Sequence, residues 1–265
     1  MESFRNDISD NLNITISGNQ MTESIGKLLS VMETICQREG LHFFAFGDLL
    51  VYGVHYHTLP DYCWDDVYEV GMLRKDYERF IRNAEKYADE LNFQVRTTPV
   101  GDKRKKHRSP YFYIEQKVVI KAENVELENW ISLRVSPFDK VPMAADTRIA
   151  FYRKTERKNR CLRRIVGQKE YVAVNGKSFI KFGLKQLLYG FRSSEKAYGR
   201  LNQLAQKYNH TDSVFYQRVV GKKTKIINEI QLFPLQETLL GQKSMPIPFD
   251  VTPWTDLDME QYRRV

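Results

Sequence analysis

From Thr22 onward, apolar residues recur at helical spacing. Ile25, Leu28, Leu29, Met32, Ile35 and Cys36 fall on one face, with Thr22 placed to cap the start and Gly40 to stop the helix. Leu41 to Phe46 then reads as a buried strand, and Gly47-Asp48-Leu49-Leu50 as the turn into a short helix. Val51 to Cys63 is a loop crowded with tyrosine, histidine and proline. Tyr68 to Met72 predicts a strand. Arg74 to Leu91 predicts a helix, with Tyr77, Phe80, Ile81, Ala84, Tyr87, Ala88 and Leu91 at helical spacing. Three strand-like runs follow: Phe93–Thr97, Tyr111–Lys121 (read as broken in two) and Trp130–Ser136. This order predicts an α+β or mixed α/β core.

Further on, Arg153 to Arg164 is a basic stretch, and Tyr171 to Val174 a strand closed by the hairpin-forming Asn175-Gly176. Residues 178–190 and 194–208 read as two helices, the second carrying Ala197, Leu201, Leu204, Ala205 and Tyr208 on one face. Val214 to Val220 and Ile226 to Phe233 are strand-like, and the proline-punctuated end from Pro246 is expected to wrap the surface. Residues 1–20 read as an irregular leader. Residues 21–265 read as a single domain: a core over about 21–150 with an appended helical and strand lobe over about 151–265.

Composition sharpens the class. The 265 residues are 42% hydrophobic with 15 Tyr, 15 Phe and 3 Trp, enough for a sizeable core. The net charge of +8 suits a polyanionic partner such as a nucleotide phosphate, a teichoic-acid-like polymer, nucleic acid or an anionic membrane surface. Charge plus aromatics is the whole case for nucleic acid, and no nucleic acid is expected. The three cysteines (Cys36, Cys63, Cys161) have no paired metal spacing and suit a reducing compartment. Cys36, on the apolar helix face, reads as core. With no signal sequence and no run long enough to span a bilayer, the expected location is cytoplasmic, with room for peripheral association at the inner face of the membrane.

The candidate chemistry centres on Trp64-Asp65-Asp66-Val67-Tyr68-Glu69, which places three acids within five residues. Carboxylates this close repel, and the usual reason to keep them together is a divalent cation, most often magnesium beside a phosphate. Gly47-Asp48 is the one glycine turn at a suitable distance to complete such a site. Lys103-Arg104-Lys105-Lys106-His107-Arg108 is either a solvated face or a phosphate clamp. His55 and His57 are best read as hydrogen-bonded structure. No GxSxG elbow, Walker loop, dinucleotide fingerprint or HExxH helix is present, which removes support for serine hydrolase, ATPase and zinc protease readings.

Taken together, Gly-x-Leu-Leu, the aromatic and histidine-rich loop, Trp64-Asp65-Asp66, Val70-Gly71-Met72-x-Arg74-x-Asp76-Tyr77-Glu78-x-Phe80, Ser136-Pro137-Phe138-Asp139, Phe233-Pro234-Leu235 and Pro246-Ile247-Pro248 resemble the LicD family. The resemblance spans roughly residues 22 to 250 and is densest over 41–81. It implies a nucleotidyltransferase-like mixed β-sheet flanked by helices, with a C-terminal helical and strand extension. It also implies transfer of a phospho-alcohol, such as phosphocholine or a polyol phosphate, from a CDP-linked donor to a sugar hydroxyl of a cell-surface glycan or teichoic-acid precursor, with Mg2+ or Mn2+. The chain departs from the family pattern at the acids. Val67 stands for a third aspartate, Glu69 for the last acid, Asp48 where threonine is usual, and Arg134 where a later strand often carries an acid. Two expectations follow. In one, Asp48, Asp66 and Glu69 hold metal and act in catalysis, while Gly47, Arg74, Arg134, Lys105 and Arg108 bind phosphate or substrate. In the other, the protein is a degenerate relative that binds a ligand or partner and transfers nothing.

Overall fold

Helix α1 (Gly18–Glu39) buries the expected face, with Ile25, Leu28, Leu29, Met32, Ile35 and Cys36 all in the core. The computed structural model describes residues 18–59, 68–97, 112–122, 125–168, 193–219 and 226–254. Because α1 begins at Gly18, Thr22 lies inside the helix and does not cap it. Gly40 ends it at φ +59, a left-handed turn suited to glycine, and the Leu41 amide donates to the Cys36 carbonyl at 2.8 Å. Burial, with the Asp76 carboxylate adding to it, pushes the Cys36 thiol up to about 12. We expect Cys36 to resist alkylation at pH 8 until the protein is unfolded in urea, as read by peptide mapping; equal labelling in both states would contradict its burial. The unfolded chain ionises this thiol near its ordinary value of 9.0 and the folded chain only near 12, so the contribution to stability falls as pH rises between the two.

The chain divides into two compact units. One comprises Met1–Arg96, Phe112–Pro137 and Ile227–Val265, the other Thr97–Tyr111 and Phe138–Ile226. In the first, the strands are β1 (Phe44–Phe46), β2 (Tyr68–Leu73), β3 (Gln94–Thr97), β4 (Phe112–Ala122) and β5 (Val125–Lys140), in the sheet order β1-β2-β5-β4-β3. The β1/β2 and β4/β5 pairs are antiparallel. The fold class is thus α+β, as the order of elements predicts. β4 is continuous where a break was expected, because each residue from Phe112 to Ala122 has a partner on β5.

Three further elements of this unit depart from expectation. Helix α2 (Asp48–His55) carries through Val51–His55, which the residue pattern assigns to a loop, and buries Leu49, Leu50, Val51 and Gly53. Helix α3 (Arg74–Asn83) gives way to a 3₁₀ turn at Ala84–Tyr87 and does not run on to Leu91. There Asn83 Nδ2 and the Tyr87 hydroxyl donate to the two oxygens of Glu39 at 2.6 and 2.7 Å. The expected strand Ile226 to Phe233 stops at Asn228 (strand β7 over Ile226–Asn228) and becomes a short helix over Glu229–Leu232. Asn228 starts that helix by accepting from the Ile230 amide, while Gln231 Oε1 accepts from the Asn228 amide. The end of the chain is more than a surface wrap. β8 (Gln236–Leu240) and β9 (Lys243–Ile247) form a hairpin against α2 and β1, and Trp254 is buried with its ring stacked on Phe44 at 6.2 Å.

In the second unit, strand β6 (Phe215–Gln217) pairs with the last residues of β5. Helix α4 (Ala145–Gln168) contains the basic stretch 153–164, and helix α5 (Ser194–Ala205) follows, capped by the Ser193 side chain. Leu162, Leu201, Ala205 and Val219 form its core. Asp139, of the Ser-Pro-Phe-Asp run, is fully buried and accepts from Asn209 Nδ2 at 2.7 Å. The expected strand at 171–174, the helix at 178–190 and the basic run 103–108 lie outside the described residues. No helix among the described residues is long and apolar enough to cross a membrane.

Candidate functional site

Strand alternation sorts the sheet of the first unit into two unlike faces. On one lie Tyr68, Val70 and Met72 of β2, Phe112 and Ile114 of β4, and Ile131, Leu133 and Val135 of β5, all buried. Helix α1 packs on β4 and α3 on β2, with Phe80 edge-on to Phe112 at 5.8 Å. On the other face, the β4/β5 register sets Tyr113 opposite Arg134 and Glu115 opposite Ser132, and the β1/β2 register sets Phe46 opposite Glu69. This second face is largely polar and nearly as buried.

Glu69 is its centre. The residue is 4% exposed, yet it is charged and lies on a strand. Its Oε2 accepts from Arg134 Nη2 at 2.7 Å, and its Oε1 accepts a short hydrogen bond from the Ser136 hydroxyl. Arg134 and Ser136 share a face of β5 because they are two residues apart. Such charge-assisted contacts are what a buried carboxylate needs to remain tolerable in a fold. Gly47 lies against the same side chain. It takes φ +58, and a Cβ built on it would be 3.7 Å from Glu69 Oε2. Glycine is needed there for the left-handed backbone, with no clash at stake.

The sequence-derived candidates are therefore only partly assembled. Gly47, Glu69 and Arg134 come together. Asp48 follows Gly47 as the first residue of α2, half-buried, where a negative charge suits the helix N-terminus. Arg74 opens α3, five residues past Glu69 and thus roughly 15 Å along the strand path. It is buried, with its guanidinium 5.3 Å from the Tyr77 ring centre. Asp65, Asp66, Val67, Lys105 and Arg108 lie outside the described residues. Among the described residues, no group of three or more His, Cys, Asp or Glu side chains is placed to hold a metal ion. His55 ends α2, and His57 takes φ +52 while its carbonyl accepts from the Gly241 amide at 3.1 Å.

Sequence reasoning missed a second cluster on the same face. Glu115, 7% exposed, uses Oε1 to accept from Ser132 Oγ at 2.6 Å, and Arg96 Nη2 stands 2.8 Å from the same oxygen. The Arg96 guanidinium also lies 4.4 Å from the Tyr113 ring centre. The signal was available. Ser132-x-Arg134-x-Ser136 and Tyr113-x-Glu115 sit in predicted strands, and a period of two puts each set on one face. Glu69 and Glu115 are thus each met by an arginine and a serine. Neither protein-family models, nor curated proteins, nor solved structures give a significant match to this chain.

Proposed function

We propose that this chain is a LicD-like protein with a nucleotidyltransferase-like sheet, and that it binds a phosphorylated ligand of the CDP-linked or glycan-precursor class without transferring it. The observation that carries this reading is Glu69, whose two oxygens are both engaged by Arg134 and Ser136. A divalent cation of the Mg2+ or Mn2+ type asks for several oxygen donors free to turn toward it. At Glu69 the donor set does not fit: the neighbour on β5 is a guanidinium, which repels a cation. Binding would take place in the cytoplasm, at its membrane-facing side, where the net charge of +8 favours anionic precursors.

The transferase reading stands second, supported by Gly47 at Glu69 with Asp48 directly after it. In that reading Asp48 and Asp66 would supply the acids, and a phospho-alcohol would pass from the CDP-linked donor to a sugar hydroxyl. One experiment separates the two. CDP-choline and CDP-ribitol are titrated calorimetrically with and without EDTA, then incubated with a panel of sugar acceptors and Mg2+ or Mn2+. The expected result is binding that survives EDTA, with no CMP released. Metal-dependent CMP release would overturn the binding-protein reading in favour of transfer, and no binding of either nucleotide would remove both.

A further inference from the structure

We infer that Arg134 is the resident cation of this site: its guanidinium occupies the place beside Glu69 that a divalent ion would take, and this one residue keeps metal out. The inference rests on the reading of Glu69 as a closed, metal-free carboxylate.

Three observations carry it. The first is geometric. Glu69 and Arg134 reach each other at 2.7 Å from β2 and β5, which are neighbours in the sheet, with side-chain exposures of 6% and 16%. Two carboxylates at these positions would converge in the manner that oxygen-liganded cations need. The second is the use of both Glu69 oxygens, with Ser136 on Oε1 and Arg134 on Oε2. The third is recurrence. Around Glu115 of β4, Arg96 of β3 and Ser132 of β5 repeat the same trio on the same face. The sheet neutralises buried carboxylates with its own arginines and serines.

A single substitution should then create a metal site. Arg134→Glu is two bonds shorter than arginine, which opens about 2 Å between the groups beyond their present contact. The resulting gap suits a cation with oxygens about 2.1 Å away on each side. Gly47 brings no side chain to crowd the water ligands.

The test uses the full chain and Mn2+ alone, titrated calorimetrically into wild type, E69Q, R134E and the R134E/E69Q double variant. R134E is expected to bind Mn2+ about tenfold or more tightly than wild type, and the gain should vanish in R134E/E69Q. Mn2+ binding by wild type that is lost in E69Q would overturn both the inference and the metal-free reading of the site. A natively folded R134E with no gain would overturn the inference alone. Should two carboxylates without an ion leave R134E unfolded, its refolding is followed by circular dichroism with and without Mn2+. Recovery on adding Mn2+ supports the inference. Failure to recover, together with no Mn2+-induced rise in the melting temperature of R134Q, overturns it.

Discussion

Arg134→Ala is expected to lower the stability of the protein by about 3–5 kcal/mol, because it strands a buried carboxylate. Glu69 keeps its burial when the guanidinium is cut away, and in the nearly dry environment of the sheet face the remaining charge has lost its closest opposite partner at 2.7 Å. The comparison that gives the number meaning is Arg38→Ala. Arg38 binds Glu90 through two hydrogen bonds at 2.7 and 2.8 Å, a better geometry on paper, but the side chains are 44% and 54% exposed. Water replaces what that mutation removes, so the expected cost is far smaller. Urea denaturation of both variants reads the difference. Equal costs would mean that the Glu69 site is far wetter than its burial indicates. The double variant Glu69→Gln/Arg134→Met, which removes both charges, should recover much of the loss.

Gly53→Ala is expected to destabilise by about 1–3 kcal/mol, against the usual sign for a helix interior. Alanine is normally favoured over glycine there by about 1 kcal/mol. At Gly53, however, an added Cβ would stand 2.8 Å from Thr238 Cγ2 and 3.5 Å from Leu240 Cγ, so α2 and β8 would have to separate. The same approach is held by the Thr238 hydroxyl, which donates to the Gly53 carbonyl at 2.9 Å. Thr238→Ser removes the offending methyl and keeps the hydroxyl. The double variant Gly53→Ala/Thr238→Ser should therefore regain most of the lost stability, with a coupling of about 1 kcal/mol or more. A Gly53→Ala protein as stable as wild type would show that the hairpin can shift at no cost.

Elements were legible where one face is uniformly apolar. Helix α1 and strand β2 follow their residue patterns because burial on one side leaves a clean period. Helix α4 shows the opposite case. Its inward face runs Phe151, Thr155, Asn159, Leu162 and Ile165, all buried at helical spacing, but two of the five are polar and the surrounding lysines and arginines mask the rest. The β8/β9 hairpin escaped for a similar reason. Strand β8 is mostly exposed, and Pro246, which lies inside β9, reads as a breaker. At the site, the chemical residues Gly47, Glu69 and Arg134 could be named from the chain, but the direction of their charges toward one another could not.

The amino-acid sequence by itself determined the α+β class, the strand that carries Glu69, the glycine turn before α2 and the alternation that puts Arg134 and Ser136 on one face. These follow from local rules, since periodicity and positive φ need only neighbours in the chain. The tertiary structure alone decided that Arg134 meets Glu69. Glu69 and Arg134 are 65 residues apart, and nothing local says whether an arginine at that distance meets a phosphate or a carboxylate. Pairing of β2 with β5 brings the two side chains to 2.7 Å, and at that separation in a buried site opposite charges attract strongly.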